Sequence, residues 1–392
     1  MNIEIKTIES SYIVAWDDYV RAHPRSTLYH LSGWKNVIEK TYGHKTYYLM
    51  AINSSKLKAQ SSKKIRITAN SYEPKSNRVV GLLPLVHLKH FLFDNSLISI
   101  PFFDLGGILA DDVDAEKALL NEAIKIGHNL DVKDIELRHI EPLSWLNKSS
   151  KLQAPSSVPT LKSHELPPIS YATKTHKVRM LLDLPASSEI LMKSFKAKLR
   201  SQIKKPLKEG LKATVDGVEL LDDFYRVFTI NMRDLGSPGH SRKLMQNVLK
   251  EFPDKSKIVM IYKDGQPLAC SLMVGFKGTL ENPWASALRE YSRLSPNMLL
   301  YWTMLEHACD NGYDHFDFGR SSPEEGTYKF KEQWGAKPTS LHWHSISLEG
   351  KSTSNAEASE KSGFDKAIRY WQKLPVSITK IIGPLIRKHI GL

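Results

Sequence analysis

One order of local structure occurs twice in the chain, and a duplicated order restricts the fold to two like units built in series. In the first half, Tyr47-Tyr48-Leu49-Met50-Ala51-Ile52 is followed by Gly81-Leu82-Leu83-Pro84-Leu85-Val86, a helix over Ala115 to Leu130, and Ile135-Glu136-Leu137-Arg138. In the second half, Ile258-Val259-Met260-Ile261-Tyr262, Ala269-Cys270-Ser271-Leu272-Met273-Val274, a helix from Asn297 to Asn311 and His315-Phe316-Asp317-Phe318 follow the same order. Each half reads strand, strand, further strand, helix, strand. That order predicts mixed sheets flanked by helices, an α+β class. The 392 residues are enough for two cores.

Composition places the boundaries. Residues 1–150 read as the first domain, with helical spacing at Leu31, Trp34, Val37, Ile38 and Thr41 and a Ser-, Lys- and Asn-rich insertion at 54–77 expected to be mobile. Residues 151–175 carry Pro155, Pro159, Pro167 and Pro168 and read as an irregular connector. Residues 176–346 form the second domain, 350–363 a polar linker expected to be disordered, and 364–392 a basic amphipathic helical tail. Such a tail can lie on an anionic membrane surface or dock on its own protein.

With 41% hydrophobic and 25% charged residues, the chain has the make-up of a folded globular protein. Cys270 and Cys309 each sit in an apolar run and read as buried thiols. The first residues lack a basic stretch leading into an apolar one, and no stretch approaches eighteen apolar residues, so a cytoplasmic monomer, at most peripheral to a membrane, is expected. The net charge of +13 draws polyanions, whether RNA, nucleotide-linked sugars, coenzyme phosphates or anionic lipid, without choosing among them. The lysines and arginine from Lys193 to Lys212 fit a solvated helix face as well as a phosphate-binding surface. The histidines, His342 and His344 among them, show no metal-ligand spacing.

The segment Asp317 to Gly335 mixes functional residue types most densely. A strand with Phe316 and Phe318 on one face and Asp317 on the other ends at Gly319, and Arg320 leaves at the carboxyl end of the strand, where open sheets tend to hold ligands. Tyr328 and Lys331 project a phenol and an ammonium from one short helix, and an ammonium there can steady an oxyanion or a phosphate. Read by themselves, these residues fit packing as readily as catalysis.

The run Asp317-Phe318-Gly319-Arg320-Ser321, then Gly326-x-Tyr328-x-Phe330-Lys331-x-x-Trp334-Gly335, resembles the C-terminal signature of FemAB-related proteins, especially the branch associated with PEP-CTERM/exosortase and exopolysaccharide systems. Arg233-x-x-Gly236-x-Pro238 and Pro296-Asn297-x-x-Leu300-Tyr301-Trp302 resemble the family too, so 176–344 carries most of the likeness. In the first half, Trp34 and Pro101-Phe102-x-Asp104-x-Gly106-Gly107 are the sharper points. The resemblance implies two tandem GNAT-like (acyl-CoA N-acyltransferase) domains, the second bearing the transfer cleft, and transfer of an acyl or aminoacyl group to an amine of a peptidoglycan or exopolysaccharide precursor. It implies no permanently bound cofactor and no metal, with aminoacyl-tRNA or acyl-CoA as the donor and the envelope precursor as acceptor. Lys331, Asp317 and Tyr328 are then the catalytic candidates, with Glu325 a second choice for the proton, and Arg320, Phe330, Trp334, Asn297 and Arg233 the substrate-binding ones. The Gly-rich turn that holds a coenzyme A pyrophosphate is missing from the sequence, which weakens acyl-CoA as donor. The competing reading is a binding protein for RNA or a nucleotide- or lipid-linked sugar on the same doubled scaffold, without catalysis.

Overall fold

The computed structural model describes residues 3–54, 78–89, 95–143, 145–146, 169–349 and 361–391. The expected insertion at 54–77, beyond its first residue, and positions 350–360 of the expected linker lie outside them. In chain order the elements are β1 (Ile3–Thr7), α1 (Ile13–Ala22), α2 (Gly33–Tyr42), β2 (Thr46–Asn53), β3 (Arg78–Lys89), β4 (Asn95–Ile98), β5 (Leu109–Ala110), α3 (Val113–Asn129) and β6 (Asp134–His139). There follow β7 (Ser170–Lys174), β8 (Val178–Asp183), α4 (Ser188–Ser194), α5 (Ala197–Lys208), β9 (Lys212–Asp216), α6 (Leu221–Leu235), α7 (Arg242–Glu251), β10 (Ser256–Lys263), β11 (Gln266–Phe276) and β12 (Thr279–Ala287). The last are α8 (Pro296–Asp310), β13 (His315–Ser321), α9 (Gly326–Glu332), β14 (Lys337–Ser340), β15 (His342–Ser347), α10 (Lys361–Lys373) and α11 (Val376–Arg387).

Two mixed sheets result. One runs β1-β2-β3-β4-β6-β15-β7 with β5 on β3, and the other runs β14-β8-β13-β12-β11-β10-β9. The repeat is visible in them: β2, β3, β4, α3 and β6 correspond to β10, β11, β12, α8 and β13, and each sheet has its parallel pair at the equivalent place, β4 with β6 and β12 with β13.

Strand pairing crosses the boundaries that composition suggests. β15, at the end of the expected second domain, pairs with β6 and β7 in the first sheet, and β7 lies at the end of the expected connector. The strands β7 and β8 on one side and β14 and β15 on the other form a ribbon that passes from one sheet to the other, bridged where Leu341 N–H donates to the Lys177 carbonyl (3.1 Å). Hydrophobic pattern reports which residues are in a strand but not which sheet takes the strand.

A shared core fills the space between the halves. α2 packs on α7 so closely that a Cβ on Gly33 would stand 2.8 Å from Glu251 Cγ, which only glycine avoids. Asn36 donates to Glu251 (3.0 Å) and Asn247 to Thr41 (2.9 Å) across the same contact. Trp34 is fully buried there, its ring 4.4 Å from that of Phe103 and 5.0 Å from Phe252 of the other half.

The described part of the tail, through residue 391, docks on its own protein. α10 and α11 lie on α6: Arg233 donates to the Leu374 carbonyl (3.3 Å), Gln372 to that of Asp234 (3.0 Å), and Trp371 is buried. Farther along, Phe102 N–H donates to the Gly391 carbonyl (2.6 Å). Among the described residues no helix is long and apolar enough to cross a membrane.

Trp34→Ala removes the ring that joins both halves. Its expected cost is about 3–5 kcal/mol of unfolding free energy, read by urea denaturation.

Candidate active site

The cavity arises from strands that part. β12 and β13 are paired only from Thr279 and His315 to Glu281 and Asp317, after which β12 follows β11 to Ala287 and β13 follows β8 to Ser321. Past Glu281 and Asp317 their facing edges are left without a ladder, and a cavity of about 380 Å³ opens there. The first half supplies the opposite wall through Tyr29, Phe102, Phe103 and Asp104, and α11 supplies Arg387. Phe102 holds φ at 78°, a conformation costly for a bulky side chain. The Asn282 side-chain oxygen on the cavity wall is buried with no hydrogen-bond partner among the described residues.

At the fork sits a buried ion cluster. Arg179 on β8 bonds Asp317 through Nε (2.5 Å) and lies 3.8 Å from Glu281. Both carboxylates are almost fully buried, at 4% and 5% exposure, and the guanidinium is the cation that offsets their desolvation. Although burial opposes it, these carboxylates hold the Arg179 pKa above its usual value. Burial first, and then the Asp317 charge, push the Glu281 pKa up. Across the cavity Arg320 lies 3.4 Å from Asp104, whose pKa burial raises and the Arg320 charge restrains. The Arg320 guanidinium also lies 5.1 Å from the Trp343 ring centre, with Arg138 at 4.7 Å from the same ring, and the indole donates to the Asp104 carbonyl (3.1 Å).

Lys331 is placed by a bulge. The pairing of β13 with β8 shifts register between Asp317 and Arg320, and Gly319 there takes φ of 74°, which glycine adopts without strain. Gly319 N–H donates to Asp317 (2.8 Å), and the carbonyls of Gly319 and Arg320 turn to accept from Lys331 Nζ at 3.1 and 2.8 Å. Burial brings the Lys331 pKa down to about 8, opposed by the Asp317 and Asp104 charges. An ammonium has three donors. Two serve these carbonyls, and the third is left for an oxygen in the cavity.

Of the catalytic and substrate-binding candidates read from the sequence, the structure brings Lys331, Asp317 and Arg320 to the cavity. The other candidates fall outside its lining. Tyr328 and Phe330 are half-buried against the core of the second sheet, where Phe330 meets Tyr301 edge-on at 5.0 Å. Trp334 is buried beside Phe195 (5.7 Å). Asn297 is exposed in the first turn of α8, Glu325 is exposed before α9, and Arg233 is engaged by Asp234 and the Leu374 carbonyl. On α9 only the stripe of Thr327 and Lys331, four residues apart, faces the cavity. Sequence reading missed Arg179, Glu281, His240 and Arg387. The one local signal was Glu281 itself, an acid in the midst of a buried strand. Arg387 donates to His240 (3.2 Å), whose other ring nitrogen meets the Tyr42 hydroxyl (2.8 Å).

Residues 193–332 match the family model described as "Acetyltransferase (GNAT) domain". The architecture is a doubled GNAT fold. Among solved structures, that of FemX superposes with a TM-score of 0.58 at 14% identity, covering 86% of this chain and 96% of that one. A tandem GNAT protein from the clavulanic acid biosynthesis pathway gives 0.51 at 11% identity, covering 90% and 100%. A conserved protein of unknown function from Bacteroides thetaiotaomicron VPI-5482 gives 0.53 at 10% identity, covering 88% and 100%. At these identities the likeness is one of fold. No curated protein matches the sequence. Among the described residues no three His, Cys, Asp or Glu side chains group as a metal site.

Arg179→Ala leaves two buried carboxylates without their cation, and the expected loss is about 3–5 kcal/mol by chemical denaturation near neutral pH. Without the guanidinium, burial holds Glu281 further above its unfolded value than in the parent protein, so the variant gains stability as pH falls through that window. The deficit against the parent protein therefore shrinks as pH falls from mildly alkaline values.

Proposed function

We propose that the chain is an acyltransferase that forms an amide, passing an aminoacyl group from an activated ester, an aminoacyl-tRNA, to an amine of a peptidoglycan or exopolysaccharide precursor. The observation that carries this reading is Lys331. A buried ammonium, held by two carbonyls with one donor left over, faces the gap between parted strands and suits the oxygen of an acyl group seated there. A peptide or an aminoacyl group laid in the gap can also hydrogen-bond to strand edges the sheet leaves unpaired.

In the reaction the amine nitrogen attacks the ester carbonyl, its oxygen gains charge beside Lys331, and the carbon–oxygen bond to the departing alkoxide breaks. Glu281 is the better base than Asp317. Its raised pKa lets it take the amine proton near neutral pH and return it to the alkoxide, whereas Asp317 is committed to Arg179 and to Gly319 N–H. Arg320, paired with Asp104 and stacked on Trp343, forms a fixed cationic wall for an anionic part of either substrate. The sequence carries no Gly-rich pyrophosphate turn, which favours the aminoacyl ester over acyl-CoA as donor.

The test is to incubate the full chain with charged tRNA in one series and acyl-CoA in another, with an envelope-precursor extract, and to follow the mass increment of the acceptor. Lys331→Met should lower kcat/KM by about 10²–10³-fold with the fold intact, and Glu281→Gln by about 10²-fold. Absence of product with every donor, or an undiminished Lys331→Met variant, would refute the reading and leave a binding protein.

Lys331 acts in its charged form. Transfer by the parent protein should therefore decline as pH rises through about 8, the value at which this ammonium loses its proton. The residual activity of Lys331→Gln should lack that decline, as a pH profile of kcat/KM would record.

A further inference from the structure

Helix α11 is docked with its apolar side outward. A surface helix ordinarily turns its apolar stripe to the core. Here Thr379, 5% exposed, and Gly383, whose Cβ position is 3.2 Å from the Gly239 backbone, face the body, while Ile378, Ile381 and Leu385 are 43%, 70% and 58% exposed. Their spacing of three and four residues puts them on one face of the helix. On α10, Tyr370 is 73% exposed. The surrounding charge has one sign: residues 361–391 contain seven Lys and Arg against a single acid, Asp365, and Arg369, Lys373 and Lys380 are exposed.

Water gains nothing from contact with such a strip, and the strip is a convex ridge on a helix, not a groove that would take a peptide. We infer that the α10–α11 face rests on an anionic lipid surface, with Ile378, Ile381 and Leu385 sunk among the acyl chains and the lysines against the headgroups. α11 also carries Arg387 into the wall of the cavity. Lipid contact therefore holds the cavity beside the bilayer. The inference stands whether or not the transfer reading does, since its test reads binding and not turnover.

The full chain is sedimented with vesicles of phosphatidylcholine alone and with vesicles of equal parts phosphatidylcholine and phosphatidylglycerol. It should pellet with the second kind. The double variant I381S/L385S should partition about tenfold less or weaker still, and R369Q/K373Q should lose mainly the preference for the anionic vesicles. Because these side chains are exposed, circular dichroism and the melting temperature should match the parent. A parent protein that stays in the supernatant with both vesicles overturns the inference, as does a serine variant that pellets equally well. A dimer seen by light scattering, dissociated by the serine changes and indifferent to vesicles, would assign the strip to a second copy and overturn it too.

Discussion

The ribbon formed by β7–β8 and β14–β15 is the constraint on which the rest of the molecule depends. Each of its two arms, β7–β8 and β14–β15, places one strand in each sheet, so each half of the duplicated fold is completed by chain that also builds the other half. The shared apolar core, with Trp34 against Phe252, adds packing to what the backbone pairing already joins. The ribbon also brings chemistry to one place. Arg179 arrives on β8 to meet Asp317, and Trp343 arrives on β15 to receive Arg320 and Arg138 on its ring.

The cavity owes its electrostatics to burial more than to any one charge. Three carboxylates, Asp104, Glu281 and Asp317, face it together with Arg179, Arg320, Lys331 and Arg387. Ion pairing in so dry a setting offsets desolvation only where the geometry is tight. Asp317 has such a partner and is fixed. Glu281, farther from the guanidinium at 3.8 Å, is left as the group whose proton is easiest to exchange. Lys331 is the mirror case, a cation held by dipoles and depressed by burial until its charge is nearly in balance with its neutral form at mild alkalinity. A fixed carboxylate, a titrating one and a soft ammonium within one gap give the site separate tools for orientation, proton transfer and charge stabilisation.

Much of the fold was legible because its signals are local. The apolar runs of β2, β3, β10 and β11 and the helical spacing around Trp34 need no knowledge of partners, and their repetition pointed to a doubled mixed-sheet architecture. The basic segment that begins at Lys193 is not one continuous helix face, because the backbone leaves the helical range at Phe195 and Lys196, between α4 and α5. At the site, Asp317, Arg320 and Lys331 could be read together since one short segment holds all three. Arg179 could not, for it meets Asp317 only through the pairing of β8 with β13 across 138 positions. Tyr328, Phe330 and Trp334 share that segment yet pack against the core of the second sheet, for a dense motif records packing and chemistry in the same letters. Arg233, in a run that resembles the family, serves here to hold α10 and α11, and nothing in its neighbours' identities distinguishes the two uses.

The placement of β15 bears on how the protein is made. His139 on β6 finds its partner in His342, so the first sheet keeps β6 without its final neighbour until a strand roughly 200 residues later has left the ribosome. At ordinary synthesis rates that interval lasts roughly 10–40 s. Through it, the edge formed by Ile135 and Leu137 is open to any other strand, including the same edge on a neighbouring nascent chain. Until β15 pairs there, the first half carries one unpaired strand edge, an aggregation hazard that the stability of the finished fold does not remove.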